Sequence, residues 1–125
     1  MPREFSRASR VSEVIQREVA VIIQKEMQDP RVADVTITYT KMSRDMSTAR
    51  VHFIRPGDEQ AIKDTLRVLK KAAGFIRHEL AGRVDLRYIP NIRFFYDASV
   101  ERGRHVTELI DQAMSRDPSR DESGE

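Results

Sequence analysis

The sequence contains no cysteine and no tryptophan. Without a thiol there is no cysteine nucleophile, no iron-sulfur cluster, no cysteine-based zinc site and no disulfide framework. Long hydrophobic runs are missing too. The longest, Val19-Ala20-Val21-Ile22-Ile23, is far short of the roughly 20 residues a membrane span requires, and Arg3 and Glu4 lead into no signal-like apolar segment. A cytoplasmic protein is therefore expected. The three histidines, His52, His78 and His105, fall singly in different expected elements, with no His-x-x-x-His or Glu-x-x-His pair to bind a metal. A Walker loop and a nucleotide-binding glycine run are also lacking. No metal, cofactor or small-molecule substrate is expected.

Net charge is nearly absent: 22 Lys+Arg stand against 20 Asp+Glu, leaving +2. The balance is uneven along the chain. Residues 63 to 93 carry eight basic and three acidic side chains, a local +5, whereas residues 115 to 125 carry −2. A basic segment in a nearly neutral protein points to a local polyanion site.

At 125 residues the chain fits one domain. Folding at this size hides about two-thirds of the unfolded surface, enough for a stability of about 5 to 15 kcal/mol without covalent staples. Residues 1–114 are read as that domain. The remainder, 115–125, has no apolar residue with which to offset its ordering entropy and reads as a disordered polar tail.

Along the domain, Val11, Val14, Ile15, Val19, Ile22, Ile23 and Met27 recur at helical spacing and predict an amphipathic helix over about Ser9 to Gln28. Ser6 or Ser9 can cap it, and Asp29-Pro30 ends it. From Val35 to Met42 the period changes to two, with Val35, Ile37 and Tyr39 on one face and Thr36, Thr38 and Thr40 on the other. Turn chemistry at Ser43–Met46 then leads into a second alternating run, Ala49, Val51 and Phe53 against Arg50, His52 and Ile54, so a hairpin is expected. Asp58 can cap a helix burying Ile62, Leu66, Leu69 and Ala73. Gly74 reads as a junction with a further helix that ends at Gly82, a left-handed cap. A last strand over Leu86 to Tyr96 places Ile92, Phe94 and Tyr96 on one face, and Val106, Leu109, Ile110 and Ala113 suggest a short terminal helix. The outcome is an α+β sandwich, three helices on a three-stranded sheet.

Lys63, Arg67, Lys70 and Lys71 form a stripe beside the apolar face of the helix before Gly74; Arg77 lies one turn beyond, and Arg83 and Arg87 follow. Such a stripe is most often a solvated face. Next to a glycine that admits another backbone, and to amides opening a new helix, it also suits phosphate. Arg3, Arg7 and Arg10 offer a secondary contact. Asp45 and Asp97, at strand ends, suit turn capping better than paired-carboxylate chemistry. Phe94 belongs to the core, while Phe95, facing the other way, either packs under a helix or is exposed to stack a base.

Several motifs in order along the chain carry a resemblance: Arg-Glu-Phe at 3 to 5, Asp29-Pro30-Arg31, Met42-Ser43-Arg44-Asp45 with Ala49 and Val51, Lys71-Ala72-Ala73-Gly74-Phe75-Ile76-Arg77, and Pro90-Asn91-Ile92-Arg93-Phe94-Phe95-Tyr96-Asp97. Over about residues 3 to 110 the chain resembles the ribosome-binding factor A family. That resemblance implies a KH-like fold of the second topological class, in the order α-β-β-α-kink-α-β, with an Ala-x-Gly kink at Ala72, Ala73 and Gly74 in place of the usual Gly-x-x-Gly loop. Ala73 stands where many relatives carry serine. The resemblance further implies a non-enzymatic factor, monomeric off the ribosome and with no membrane partner. Such a factor binds the immature 30S subunit and its 16S rRNA, assists late maturation and end processing, and matters most in the cold. Its expected RNA contacts are Lys63, Arg67, Lys70, Lys71, Ala72, Ala73, Gly74, Arg77, Arg83 and Arg87. The alternative is an adaptor that binds a ribosomal protein or an assembly GTPase.

Overall fold

The computed structural model describes residues 3–99. The expected terminal helix around Val106 to Ala113 and the polar tail lie outside them. In chain order the elements are helix α1 (Arg3–Lys25), a single 3-10 turn (Pro30–Val32), strands β1 (Thr36–Met42) and β2 (Thr48–Ile54), helix α2 (Glu59–Ala81) and strand β3 (Asn91–Tyr96). The sheet order is β1-β2-β3, with β1 antiparallel and β3 parallel to the central strand. Helix α1 packs over β1 and α2 over β3 on the same face, leaving the other face open. This α+β arrangement agrees with the expected KH-like class.

Among the described residues, fifteen buried apolar side chains form one core between helices and sheet, centred on Ile15, Val19, Ile22, Phe53, Leu69, Ile76 and Leu80. Each fully buried side chain of this size contributes about 1.5 to 3 kcal/mol of transfer free energy, so the stripe spacing in the sequence is what holds the helices down. At the base of α2 a polar knot ties three segments. The Thr65 hydroxyl, fully buried, donates to the Arg31 carbonyl at 2.6 Å and accepts from the Arg55 guanidinium at 3.0 Å. Buried polar groups satisfied in this way fix the register of their elements.

Several boundaries differ from the sequence reading. Helix α1 already runs through Ser6 and Ser9, so neither caps it. It also ends at Lys25, before Asp29-Pro30; Asp29 instead caps the 3-10 turn, accepting from the Arg31 amide at 2.8 Å. Gln28, in the left-handed region at φ 49°, turns the chain between them.

In β1 the register shifts between Ile37 and Tyr39. Val35 and Ile37 face the core as expected, but the bulge inverts the alternation beyond it: Thr40 and Met42 are buried and Tyr39 faces out. The buried set Ala49, Val51 and Phe53 on β2, and Ile92 with Phe94 on β3, follows the expected alternation. Strand β3 starts only at Asn91, because the Pro90 ring before it has no amide to donate to a ladder.

Asp58 caps α2 as expected, accepting from the Ala61 amide at 2.9 Å. The helix then runs unbroken through Gly74 for 23 residues, so two described helices cover the sheet where three were expected. Gly74 keeps helical geometry because flanking Leu69, Ile76 and Leu80 are all anchored in the core, and tertiary packing outweighs glycine's poor propensity. Gly82 closes the helix at φ −84°, in the right-handed region, its amide donating to Glu79; no left-handed cap forms.

Candidate nucleic-acid interface

Helix geometry, about 100° per residue, brings Lys63, Arg67, Lys70, Lys71, Gly74 and Arg77 within about 120° of arc over roughly 20 Å of α2. All six are exposed. Lys63, Lys70 and Lys71 have no ion-pair partner among the described residues, whereas Arg67 lies 3.3 Å from Asp64. Arg77 spends two donors on the Ile89 carbonyl, at 3.2 and 2.9 Å. That bond aims the guanidinium and ties α2 to the segment before β3, and a neutral acceptor leaves the positive charge uncompensated. Ala72 and Ala73 are half-buried on the flank, Ala72 packed against the core.

At Gly74 nothing lies within 4 Å of where a Cβ would stand. The missing side chain opens space outward along the ridge. Because α2 is continuous, the amides around Gly74 are committed to intrahelical bonds. The expected helix-start anion site at this point is thus not formed, and phosphate would meet cationic side chains and a bare backbone instead.

The structure separates the remaining candidates from this ridge. Arg83, just past the end of α2, reaches back to within 3.5 Å of Glu18 on α1 and 3.2 Å of Glu26 just past its end, and so clamps the two helix ends together with its charge more than balanced. Arg87 lies over the Tyr88 ring, 5.5 Å from its centroid. Arg7 and Arg10 are exposed on the first turns of α1, which Arg3 opens.

The two aspartates are turn caps at opposite ends of the sheet. Asp45 accepts from the Ser47 amide and from the Ser47 and Ser43 hydroxyls, and these bonds, Ser47's first, hold its carboxyl below the ordinary value. Asp97 is held low by the Ser99 hydroxyl, then the Thr38 hydroxyl, with nearby His52 adding a smaller contribution. Since the Asp97 amide bonds to Phe53 at the far end of β2 from the hairpin, the two carboxylates cannot share a substrate. No group of three metal-ligating side chains converges among the described residues.

Sequence reasoning missed the open sheet face. Tyr39, His52 and Phe95 stand side by side across the three strands, with ring centroids 5.2 and 5.5 Å apart, and Tyr39 and Phe95 are 48% and 38% exposed. Phe95 thus takes the exposed alternative. One row along, Lys41, Arg50 and Arg93 are also aligned across the strands. Alternation with the buried positions carried this signal, but the bulge concealed the Tyr39 member.

The family model for ribosome-binding factor A matches residues 7–110. The chain belongs to the ribosome-binding factor A family. A ribosome-binding factor A from Nitrosococcus oceani is 46% identical over 117 residues, covering 94% of this chain and 92% of the relative; one from Stutzerimonas stutzeri is 43% identical over both full lengths. The crystal structure of the Thermus thermophilus factor superposes with a TM-score of 0.64 at 27% identity, over 71% of this chain and 94% of that one. A Thermus thermophilus homology model fitted into a cryo-EM map of a 30S complex shares the fold, with a TM-score of 0.54 at 23% identity, over 74% of this chain and 92% of that one.

Proposed function

We propose that this ribosome-binding factor engages the immature 30S subunit by gripping the 16S rRNA backbone with the ridge Lys63, Arg67, Lys70, Lys71 and Arg77, the RNA approaching closely at Gly74. The observation that carries the reading is the coincidence of unpaired cations with open space at a mid-helix glycine. No group on the ridge is built for bond-breaking; the factor acts by binding. A rigid α+β body that prefers one rRNA conformation shifts the subunit toward it by no more than its difference in affinity for the two states. Assistance to late maturation and end processing follows from that shift. A special need in the cold follows too, because misfolded rRNA escapes more slowly as temperature falls. The factor works as a monomer in the cytoplasm before joining the subunit.

The test is co-sedimentation of the purified chain with immature 30S subunits across a salt series. With about five phosphates engaged, log affinity should fall with log salt at a slope of about −3.5 to −4.5. Replacing Lys63, Lys70 and Lys71 by Ala should flatten the slope by about 2 to 3 and leave the melting transition nearly unchanged, since none of the three makes a structural bond. Arg77 is best left out of that variant because it also holds Ile89. An unchanged slope rejects the ridge.

A further inference from the structure

We infer that the open face of the sheet is a second RNA site, a platform on which about two or three unpaired bases stack against Tyr39, His52 and Phe95 while their phosphates run along Lys41, Arg50 and Arg93. This deepens the RNA-binding reading above and rests on it, but it uses a different surface and a different chemistry.

The geometry has three parts. First, the β-bulge turns Tyr39 outward, so that it pairs with His52, which in turn pairs with Phe95. The His52 and Phe95 rings are stacked, with 28° between their planes, and Tyr39 is tilted by 54°. The row presents an aromatic strip that no described residue covers.

Second, Lys41 opposes Arg50, and Arg50 opposes Arg93, two residues along the same strands. Like charges directly opposite each other weaken a sheet, and none of these three has a carboxylate partner among the described residues. Cross-strand ring packing alone would account for the aromatic row as a stabiliser of the sheet, but it leaves this cationic row as a net cost. A polyanion laid along it removes the repulsion. The rows are about 7 Å apart, a span suited to a stacked base and its own phosphate.

Third, charge is distributed unevenly along the face. Asp97 sits beyond the aromatic row, on the side away from the cations, so a nucleic-acid backbone has one favourable edge. From that edge the surface continues round the unpaired side of β1 into a groove of about 770 Å³ between the first turns of α1 and the hairpin, lined among others by Ser9, Ser12, Lys41, Arg44 and Arg50. A strand leaving the platform meets another free cation there. Duplex RNA does not fit this chemistry, because its bases are already stacked and an A-form helix offers no ring faces to the platform.

The test uses the full chain, NMR-labelled, titrated with short oligoadenylate and with an abasic strand of the same length. Expected are resonance shifts at Tyr39, His52 and Phe95 with oligoadenylate and at least tenfold weaker binding of the abasic strand. Phe95→Leu, which keeps an apolar side chain but removes the ring, should weaken oligoadenylate about tenfold. Arg50→Gln with Arg93→Gln should flatten the salt slope by between about one and two. The amide spectrum of each variant verifies its fold.

Equal affinity for the abasic strand overturns the platform, as do shifts confined to Lys63–Arg77; both leave the ridge standing. Subunit binding that fails in the sheet variants without any response of the sheet to oligoadenylate also overturns it, assigning the face to a protein. If neither ridge nor sheet variants change subunit binding, the RNA-binding reading itself falls.

Discussion

Gly74 occupies a position where almost any other residue would make a better helix. Its φ is helical and no atom blocks a Cβ, so Gly74→Ala should raise stability by about 0.5 to 1 kcal/mol in denaturant melts. On the proposed reading the same methyl group would stand where rRNA approaches, and affinity for immature 30S subunits should fall. A variant that is both more stable and a weaker binder separates function from folding at a single carbon. Thr40 gives the opposite case. Its hydroxyl is buried with no partner, on the face that the bulge turned inward. Thr40→Val keeps the shape and removes the desolvated oxygen, and should stabilise the chain by about 1 kcal/mol. Glycine in a basic segment was a visible signal in the sequence; the burial of Thr40 was not, because strict alternation from Val35 placed it with the exposed threonines.

Among elements, polar contacts at the ends of the sheet and helices add to the apolar core in orienting β1 and α1. Asp97 joins the end of β3 to Thr38 in the bulge of β1. Its folded pKa lies below the unfolded value, so the stability it contributes is present above about pH 4 and is lost as pH falls through the folded value. Asp97→Asn should therefore be less stable than the parent near neutrality and should lose less between about pH 5 and pH 2, as read from melting curves across that range. Arg83 plays the corresponding part between helices. Arg83→Ala leaves Glu18 and Glu26 facing each other unpaired, and should lower stability by about 1 kcal/mol while leaving the salt slope of subunit binding unchanged. A flattened slope would return Arg83 to the RNA surface. The charge of Arg83 is plain in the sequence, yet its role depends on two carboxylates 65 and 57 positions upstream, beyond the reach of any local pattern.

At the scale of the molecule, a single fold presents a cationic ridge on α2 and an aromatic and cationic face on the sheet, the two surfaces proposed above for separate rRNA segments. Joined through a single scaffold, two weak contacts reinforce each other, so combining Lys70→Ala and Lys71→Ala with Phe95→Leu should weaken subunit binding by more than either change alone, as measured by co-sedimentation. The amino-acid sequence determined the helical period of α1 and α2, the alternation of β2 and β3, most of the buried stripe of α1 but only Leu69 of the four positions expected for α2, the hairpin and its turn, the basic stripe and the family, because each depends on residues close together in the chain or on a motif in order. Only the tertiary structure decided that α2 runs straight through Gly74, that Tyr39 faces out and Thr40 in, that Arg83 belongs to the helix clamp, and that six side chains from three strands form one surface. Those outcomes depend on core packing, on a one-residue shift of register and on partners distant in the chain. In each, the free energy of contacts across the fold outweighs the local preference.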